Sequence, residues 1–321
     1  MTDSPEIAVI VPAHRARETL ADCLDGLARQ TLSPDRFEVH VVDTGEDGAA
    51  ELVAERSGEW NGRLIYHRAE GRGPGRQRNE GVERTSASYL AFTDADCVPE
   101  PQWLEAGLAH LRSGATMVQG PTLTPSGDPP PPFSHAIFRT GPSVLYESCN
   151  IMFDAEALRR AGGFSVDLFD STGSHMGEDT ELGWAVRRAN GGAVFEPKAV
   201  VRHAVEPASL AWQLRYEWQS RFFPRLVKRV PELRSEALKG RLFLGRRSVI
   251  TCAALAGLAA GPQARWAYLL TAPYLLELAR AARAAESPAG APAAAGRQLL
   301  ADAVRQAGLI WGSIRFRSPV L

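Results

Sequence analysis

Tyr89-Leu90-Ala91-Phe92-Thr93-Asp94-Ala95-Asp96 is the stretch that decides the fold. Its first five residues form a short apolar run suited to a buried strand, and the run stops on two carboxylates at i and i+2. Val98-Pro99 follows, which puts the acids at a strand end. Two carboxylates so placed leave the sheet together. Hard oxygen ligands there suit Mg²⁺ or Mn²⁺, and such ions usually also bind substrate phosphates. A solvated turn would use the same residues, because Asp-x-Asp is common by chance. The strand-end context is what favours a metal.

Outward from that stretch, strand and helix signals alternate. Ile7-Ala8-Val9-Ile10-Val11-Pro12 is a short apolar run closed by proline. Leu20, Cys23, Leu24 and Leu27 recur at helical spacing. Phe37 to Asp43 is a second strand, and Leu64-Ile65-Tyr66-His67 a third. A Gly/Arg loop from Gly71 to Gly75 leads into a helix. Such alternation predicts a mainly parallel sheet with right-handed crossovers. Ligands of these sheets bind beyond the carboxyl ends of the strands, where Asp43, Asp94 and Asp96 all fall. Further on, Pro121 to Pro132 reads as an irregular, mobile loop, with four consecutive prolines at 129–132. Ser148 to Asp154 reads as a strand and Gly162-Gly163-Phe164 as a turn. Glu178 to Asn190 reads as a helix with Leu182, Val186 and Ala189 inward, and Val200 to His203 as a last strand. Beyond residue 205 the pattern is all-helical, with an Ala/Pro/Gly linker from Pro288 to Gly296. No internal repeat is visible.

The chain has 321 residues, 45% hydrophobic and 23% charged, enough for a large core and too apolar for disorder. Cys23, Cys97, Cys149 and Cys252 are widely spaced. That spacing argues against a disulfide framework or zinc site and fits a reducing compartment. The acidic N-terminus reads without a signal peptide. A net charge of −1 hides an asymmetry: residues 1–214 carry 19 Lys+Arg against 31 Asp+Glu, and residues 215–247 carry 10 against 3. A basic band ahead of the uncharged run Ser248 to Ala264 suggests contact with an anionic membrane. Nucleic acid is disfavoured because the remainder is acidic and no nucleic-acid motif appears. A spanning helix needs about 18–20 apolar residues; this run is shorter and contains Gly257, Gly261 and Pro262. Interfacial helices, a buried helical core and a spanning hairpin all stay open, with the basic band and Trp266 favouring the first.

Glu178-Asp179 opens a helix after a glycine-rich approach (Gly173, Gly177). Acids in a first helical turn are often simple caps; the functional alternative is a carboxylate held as general base for a hydroxyl. His203 ends a strand, where a histidine is more often packed than ligating. Asp43 fits either a helix cap or a contact to a nucleotide base. Arg72, Arg76 and Arg78 form either a solvated face or a diphosphate clamp.

In order, Val9-Ile10-Val11-Pro12-Ala13-His14, Val41-Val42-Asp43, Arg78-Asn79-Glu80-Gly81 and Ala91-Phe92-Thr93-Asp94-Ala95-Asp96 resemble the inverting family 2 glycosyltransferases of GT-A fold. Cys149-Asn150-Ile151-Met152-Phe153, Ala157-Leu158, Gly162-Gly163-Phe164 and Gly177-Glu178-Asp179-Thr180-Glu181-Leu182-Gly183-Trp184 continue the likeness, which covers roughly residues 6–205. The resemblance implies an α/β fold with a mixed, mainly parallel sheet and a nucleotide-sugar donor, UDP by default, with Mn²⁺ or Mg²⁺. It implies that Pro12, Ala13 and His14 line the base pocket, that Asp43 meets the base or ribose, and that Arg78 sits near the donor. Asp94 would touch ribose or metal, Asp96 and His203 the metal. Asp179 would be the base and Glu178 a positioning group, with Asn150 and Trp184 on the acceptor side. Two departures stand out. Thr44 follows Asp43 where the family often has a second acid, and Gln213-Leu214-Arg215-Tyr216-Glu217-Trp218 only approximates the Gln-x-x-Arg-Trp motif of processive members, which disfavours a polymerase.

The expectation is therefore a GT-A domain over residues 1–205 and a helical, membrane-apposed extension over 206–321. The protein would be cytoplasmic and peripheral on the inner membrane face, transferring sugar to an unidentified acceptor hydroxyl. The rivals are a nucleotidyltransferase, against which Pro12-Ala13-His14-Arg15-Ala16 offers no glycine loop, and a non-catalytic sugar-nucleotide-binding scaffold at a membrane.

Overall fold

The apolar run Ile7–Ala13 becomes β1, buried along its whole length. The computed structural model describes residues 5–60, 62–70, 73–167, 176–190, 192–285 and 290–321. They belong to two compact units: Met1–Pro130 with His135–Glu206, and Pro131–Ser134 with Pro207–Leu321.

After β1 come β2 (Phe37–Asp43), β3 (Leu64–Arg68), β4 (Tyr89–Thr93), β5 (Cys97–Pro99), β6 (Met117–Gln119) and β7 (Thr122–Leu123). Then follow β8 (Ser134–His135), β9 (Asn150–Asp154), β10 (Val194–Phe195), β11 (Val201–His203) and β12 (Glu206–Pro207). The first unit also holds α1 (Arg17–Ala28), α2 (Ala49–Arg56), α3 (Pro74–Glu83), α4 (Trp103–Arg112), α5 (Ala155–Arg160) and α6 (Glu178–Asn190). Seven strands form one sheet in the order β10-β6-β9-β4-β1-β2-β3. It is parallel apart from β9, which runs antiparallel to both β4 and β6. This is the mainly parallel sheet that the alternating pattern predicted, mixed through β9 as the family resemblance implied. Register puts Ala13 opposite Asp43, so the carboxyl ends of β1 and β2 share one edge, with the end of β4 beside them.

The helical spacing of Leu20, Cys23, Leu24 and Leu27 places all four of them in the core. Helix α3 lies against β1 and β2 at Gly81, where a Cβ would meet Ile10 Cγ2 at 2.6 Å. In α6, Leu182 and Val186 are buried as expected, but Ala189 is exposed and Trp184 turns inward in its place.

A second sheet, β5-β11-β7, corrects the reading of Pro121 to Pro132 as wholly irregular. Thr122 and Leu123 precede the prolines and keep their amide hydrogens, and they pair with β11. Asn150, expected on the acceptor side, is instead a buried clasp. Its Oδ1 accepts from Trp103 Nε1 at 2.8 Å, and its Nδ2 donates to Pro121 O at 2.8 Å and Ala199 O at 2.9 Å. At 3% exposure its amide is committed to the scaffold.

The second unit is helical: α7 (Leu210–Trp218), α8 (Phe223–Arg229), α9 (Leu233–Glu236), α10 (Arg246–Ala260), α11 (Ala272–Arg283) and α12 (Ala291–Phe316). Of the expected linker, Pro288 lies outside the described residues, while Ala291–Gly296 forms the first turns of α12. Alanine is the strongest helix former, and Pro292 sits in the first turn, where its missing amide hydrogen costs nothing. Among the described residues no helix is long and apolar enough to cross a membrane, since α10 ends after 15 residues at Gly261-Pro262.

The joint between the two sheets of the first unit has no slack. A Cβ on Gly120 would fall 1.8 Å from Ala199 O, a backbone atom held by Asn150. Gly120→Ala is therefore expected to lower stability by about 3 kcal/mol, read as a fall in the chemical-denaturation midpoint. Gly58→Ala, with nothing within 4 Å, should leave that midpoint nearly unchanged.

Candidate active site

The shared strand edge opens into a cleft of about 810 Å³. Pro12, Ala13 and His14 line it from the end of β1, Asp94 and Asp96 from the segment after β4, Arg78 from α3, and Glu178 and Asp179 from the start of α6. Residues separated by up to 167 positions in sequence thus face one space.

Arg78 holds this arrangement together. Only 3% exposed, it donates from Nη2 to Asp94 Oδ1 at 2.6 Å and from Nη1 to Glu178 Oε1 at 3.3 Å, and its guanidinium stands 5.5 Å from the Phe164 ring centre. Burial works against its charge, but Asp94 and Glu178 outweigh that and raise its pKa. Glu178 can approach because Gly75 has no side chain; a Cβ there would lie 3.1 Å from Glu178 Cγ.

Asp96 meets His203 through strand register. Strand β11 runs antiparallel to β5 with His203 opposite Cys97, and Ala204 N donates to Asp96 O at 2.9 Å. His203 Nε2 consequently lies 3.7 Å from Asp96 Oδ2. His203 Nδ1 donates to Ala204 O at 2.7 Å; a carbonyl can only accept, so in the neutral ring Nε2 keeps its lone pair facing the carboxylate. One imidazole oriented by a backbone carbonyl beside one carboxylate is a donor set that fits Mn²⁺ or Mg²⁺. Cys97 completes a group whose ligand atoms lie within 4.8 Å of one another, but burial pushes its thiol far up, so it stays protonated and is a poor ligand.

Asp179 sits across the first turn of α6. Its Oδ1 accepts from Thr180 N at 2.7 Å and its Oδ2 from Ser148 N at 3.3 Å. Burial, followed by the charge of Glu178, pushes its carboxyl up to about 8, against the opposing pull of Arg78. The side chain is nonetheless partly open to the cleft. A carboxyl that titrates near neutrality and can still be reached is suited to exchanging a proton with a bound hydroxyl.

Four expected site residues, Asp43, Asn150, Trp184 and His203, do not line the cleft; His203, 3% exposed, adjoins it only through Asp96. Asp43 is 2% exposed, with Oδ1 accepting from Gly45 N at 2.7 Å and Oδ2 from Tyr66 OH at 3.0 Å; it shapes the turn after β2. Asn150 is the clasp described above. Trp184 is buried and donates to Val144 O at 2.9 Å. Of the arginine cluster, Arg72 lies outside the described residues, as does Gly173, and Arg76 is exposed away from the cleft. His14 reaches the cleft, with Nδ1 3.1 Å from Thr44 Oγ1.

Other cleft residues had no sequence signal. Asp47 receives the first amide of α1, Arg17 N, on Oδ2 at 2.8 Å, while its Oδ1 is buried with no partner. Arg15 lines the cleft in the left-handed region at φ 52°, strain of a kind that clusters at functional sites. Gln77 donates to Ala13 O and Val42 O at 2.7 and 2.8 Å, tying α3 to the ends of both strands. Glu206 closes the list on the acidic side. Apolar flanks marked the strand ends, but nothing local marks a lone Asp or Gln in a loop or helix.

Residues 8–169, half of the chain, match the family described as glycosyl transferase family 2, and the chain belongs to that family. It is 36% identical over 118 residues to glycosyltransferase AglE of Haloferax volcanii, a match covering 36% of this chain and 39% of that protein. It is 25% identical over 213 residues to the pre-mycofactocin glycosyltransferase of Mycobacterium tuberculosis, covering 62% of this chain and 42% of that one. The chain thus spans about two fifths of the length of these relatives. Among solved structures, the mannosyltransferase PcManGT from Pyrobaculum calidifontis in complex with GDP-Man and Mn²⁺ superposes with a TM-score of 0.57 at 22% identity, over 98% of this chain and 87% of that one. TarS 1–349 of S. aureus in complex with UDP-GlcNAc does so with a TM-score of 0.52 at 13% identity, over 98% and 92%. At these identities the likeness is one of fold.

Removing one partner from a buried ion pair costs about 3–5 kcal/mol. Arg78→Ala should destabilise the protein by about that amount, and Arg78→Lys by less, because an ammonium reaches one carboxylate but cannot fork between two. Urea unfolding of both variants measures the difference.

Proposed function

We propose that the chain transfers a sugar from a nucleoside-diphosphate sugar to an acceptor hydroxyl with inversion at the anomeric carbon. The observation that carries this is a near-neutral carboxyl at Asp179 in the same cleft as Asp96, with the buried His203 imidazole 3.7 Å from the Asp96 carboxylate. The acceptor oxygen forms its bond to the anomeric carbon as the carbon–oxygen bond to the diphosphate breaks. The bonding pair leaves on the nucleoside diphosphate, and the acceptor proton passes to Asp179.

Asp96 and His203 are the residues that would hold Mn²⁺ or Mg²⁺, which when bound supplies positive charge to the departing diphosphate. Arg78 keeps Asp94 and Glu178 in place. Asp47 Oδ1 offers an acceptor to an N–H of the donor. Pro12, Ala13 and His14 line the donor end. UDP is the working nucleotide, and GDP is the alternative suggested by PcManGT in complex with GDP-Man. We place the reaction at an anionic membrane surface on the cytoplasmic side, with residues 207–321 as the extension that meets it.

Asp179→Asn should keep the fold and donor affinity and lose about 100-fold or more in turnover, because an amide cannot take the proton; Glu178→Gln, as the comparison, should be milder. Near-normal turnover in Asp179→Asn would reduce the pair to a helix cap. The base must be ionised, so wild-type turnover should rise with pH through a limb near pH 8, well above the ordinary carboxylate range, and this limb should vanish from the residual rate of Asp179→Asn. Asp96→Ala should abolish metal-dependent donor binding, and His203→Ala should weaken it without unfolding. Thermal stabilisation by UDP- and GDP-sugars with and without Mn²⁺ reads both.

A further inference from the structure

We infer that the α10–α11 hairpin is a monotopic membrane-insertion surface whose occupant is the outer few ångströms of an anionic lipid leaflet. The inference rests on the peripheral-membrane reading above and specifies the contact. From Leu255 to Leu276 the chain holds 22 residues with no acid and a single charge, Arg265. Much of this stretch faces outward. Leu255, Leu258, Leu275 and Leu276 are exposed, with Trp266 at 71% and Leu269 at 74%. So many exposed large apolar side chains within one 22-residue stretch are uncommon on a monomer and point to a site of interaction.

The inner face of the hairpin is already satisfied, so the outer leucines are not needed to build it. Gly257 gives up its side chain to the turn Arg265–Thr271, where a Cβ would meet Ala267 O at 2.6 Å, and Gly261 does so for the Tyr268 ring. Beneath, Asp302 of α12 is 3% exposed. It accepts from Arg247 of α10 at 2.6 and 2.9 Å and from Tyr274 of α11 at 3.1 Å. Three helices are pinned at one buried carboxylate, while the leucines named above stay exposed.

Charge selects the occupant. Residues 207–321 carry 17 Lys+Arg against 6 Asp+Glu, a net of +11. Next to Leu276, Glu277 is shared by Arg246 and Arg280, so even the nearest acid is compensated. Two copies meeting through this face would bring two such net charges together, whereas an anionic leaflet attracts the net positive charge and accepts the leucines. Trp266 suits the headgroup boundary, and Arg265 can extend to the phosphates from an apolar stem.

The whole 321-residue chain is sedimented with vesicles of phosphatidylcholine alone and with about 30% phosphatidylglycerol. Binding to the anionic vesicles is expected, weakened by salt. Trp266→Ser should reduce the partition about 10-fold and Leu269→Asp with Leu276→Asp about 100-fold, with thermal midpoint and metal-dependent donor stabilisation unchanged. Binding that is lost in salt but indifferent to these variants would overturn the hairpin and leave the peripheral reading standing. Absence of binding to either vesicle would overturn both. A dimer that the double variant converts to monomer, with vesicle binding unaltered, would assign the face to a second copy and overturn the inference.

Discussion

The buried guanidinium of Arg78 is the constraint on which the site depends. A cation with 3% exposure is tolerable only if carboxylates meet it with good geometry, and those carboxylates come from two distant places, Asp94 after β4 and Glu178 at the head of α6. The ionic fork therefore fixes the end of a central strand, the underside of α3 and the start of α6 relative to one another. It also sets the electrostatics of the neighbouring group. Burial and then the neighbouring Glu178 lift the Asp179 carboxyl towards neutrality, and Arg78 pulls the other way.

A second dependence is geometric. The two acids of Asp94-Ala95-Asp96 leave the sheet in different directions of use: Asp94 is turned back to Arg78, and Asp96 continues towards the short sheet built by β5 and β11. Antiparallel pairing of those strands brings His203 to Asp96 across 107 positions of sequence, and the Asn150 clasp on Pro121 O and Ala199 O holds the neighbouring backbone. A polar residue expected to serve the substrate thus serves the scaffold that carries the Asp96–His203 pair.

The second unit answers a different physical problem. It concentrates positive charge and leaves large apolar side chains exposed, while a buried carboxylate at Asp302 locks the helices. The first unit is the acidic partner in this division, with its carboxylates gathered around a cleft. The two opposite charges nearly cancel in the net charge of −1, which hides their separation along the chain.

Sequence by itself determined the mixed α/β core, the strand ends and the acids standing on them, because apolar period and chain breakers are local properties. The runs at Ile7, Phe37 and Tyr89 read correctly for that reason, as did the helix opening at Glu178. The sequence also carried the family likeness, through several motifs in order. Tertiary structure alone decided which polar residues face the cleft. Asp43, Asn150 and Trp184 look like site residues in a motif, yet their polar atoms are consumed by Gly45 and Tyr66, by Pro121, Ala199 and Trp103, and by Val144. Asp47, Arg15 and Gln77 carry no motif and line the cleft. A buried hydrogen-bonding group must find a partner, and which partner it finds is set by long-range register, which no local pattern encodes.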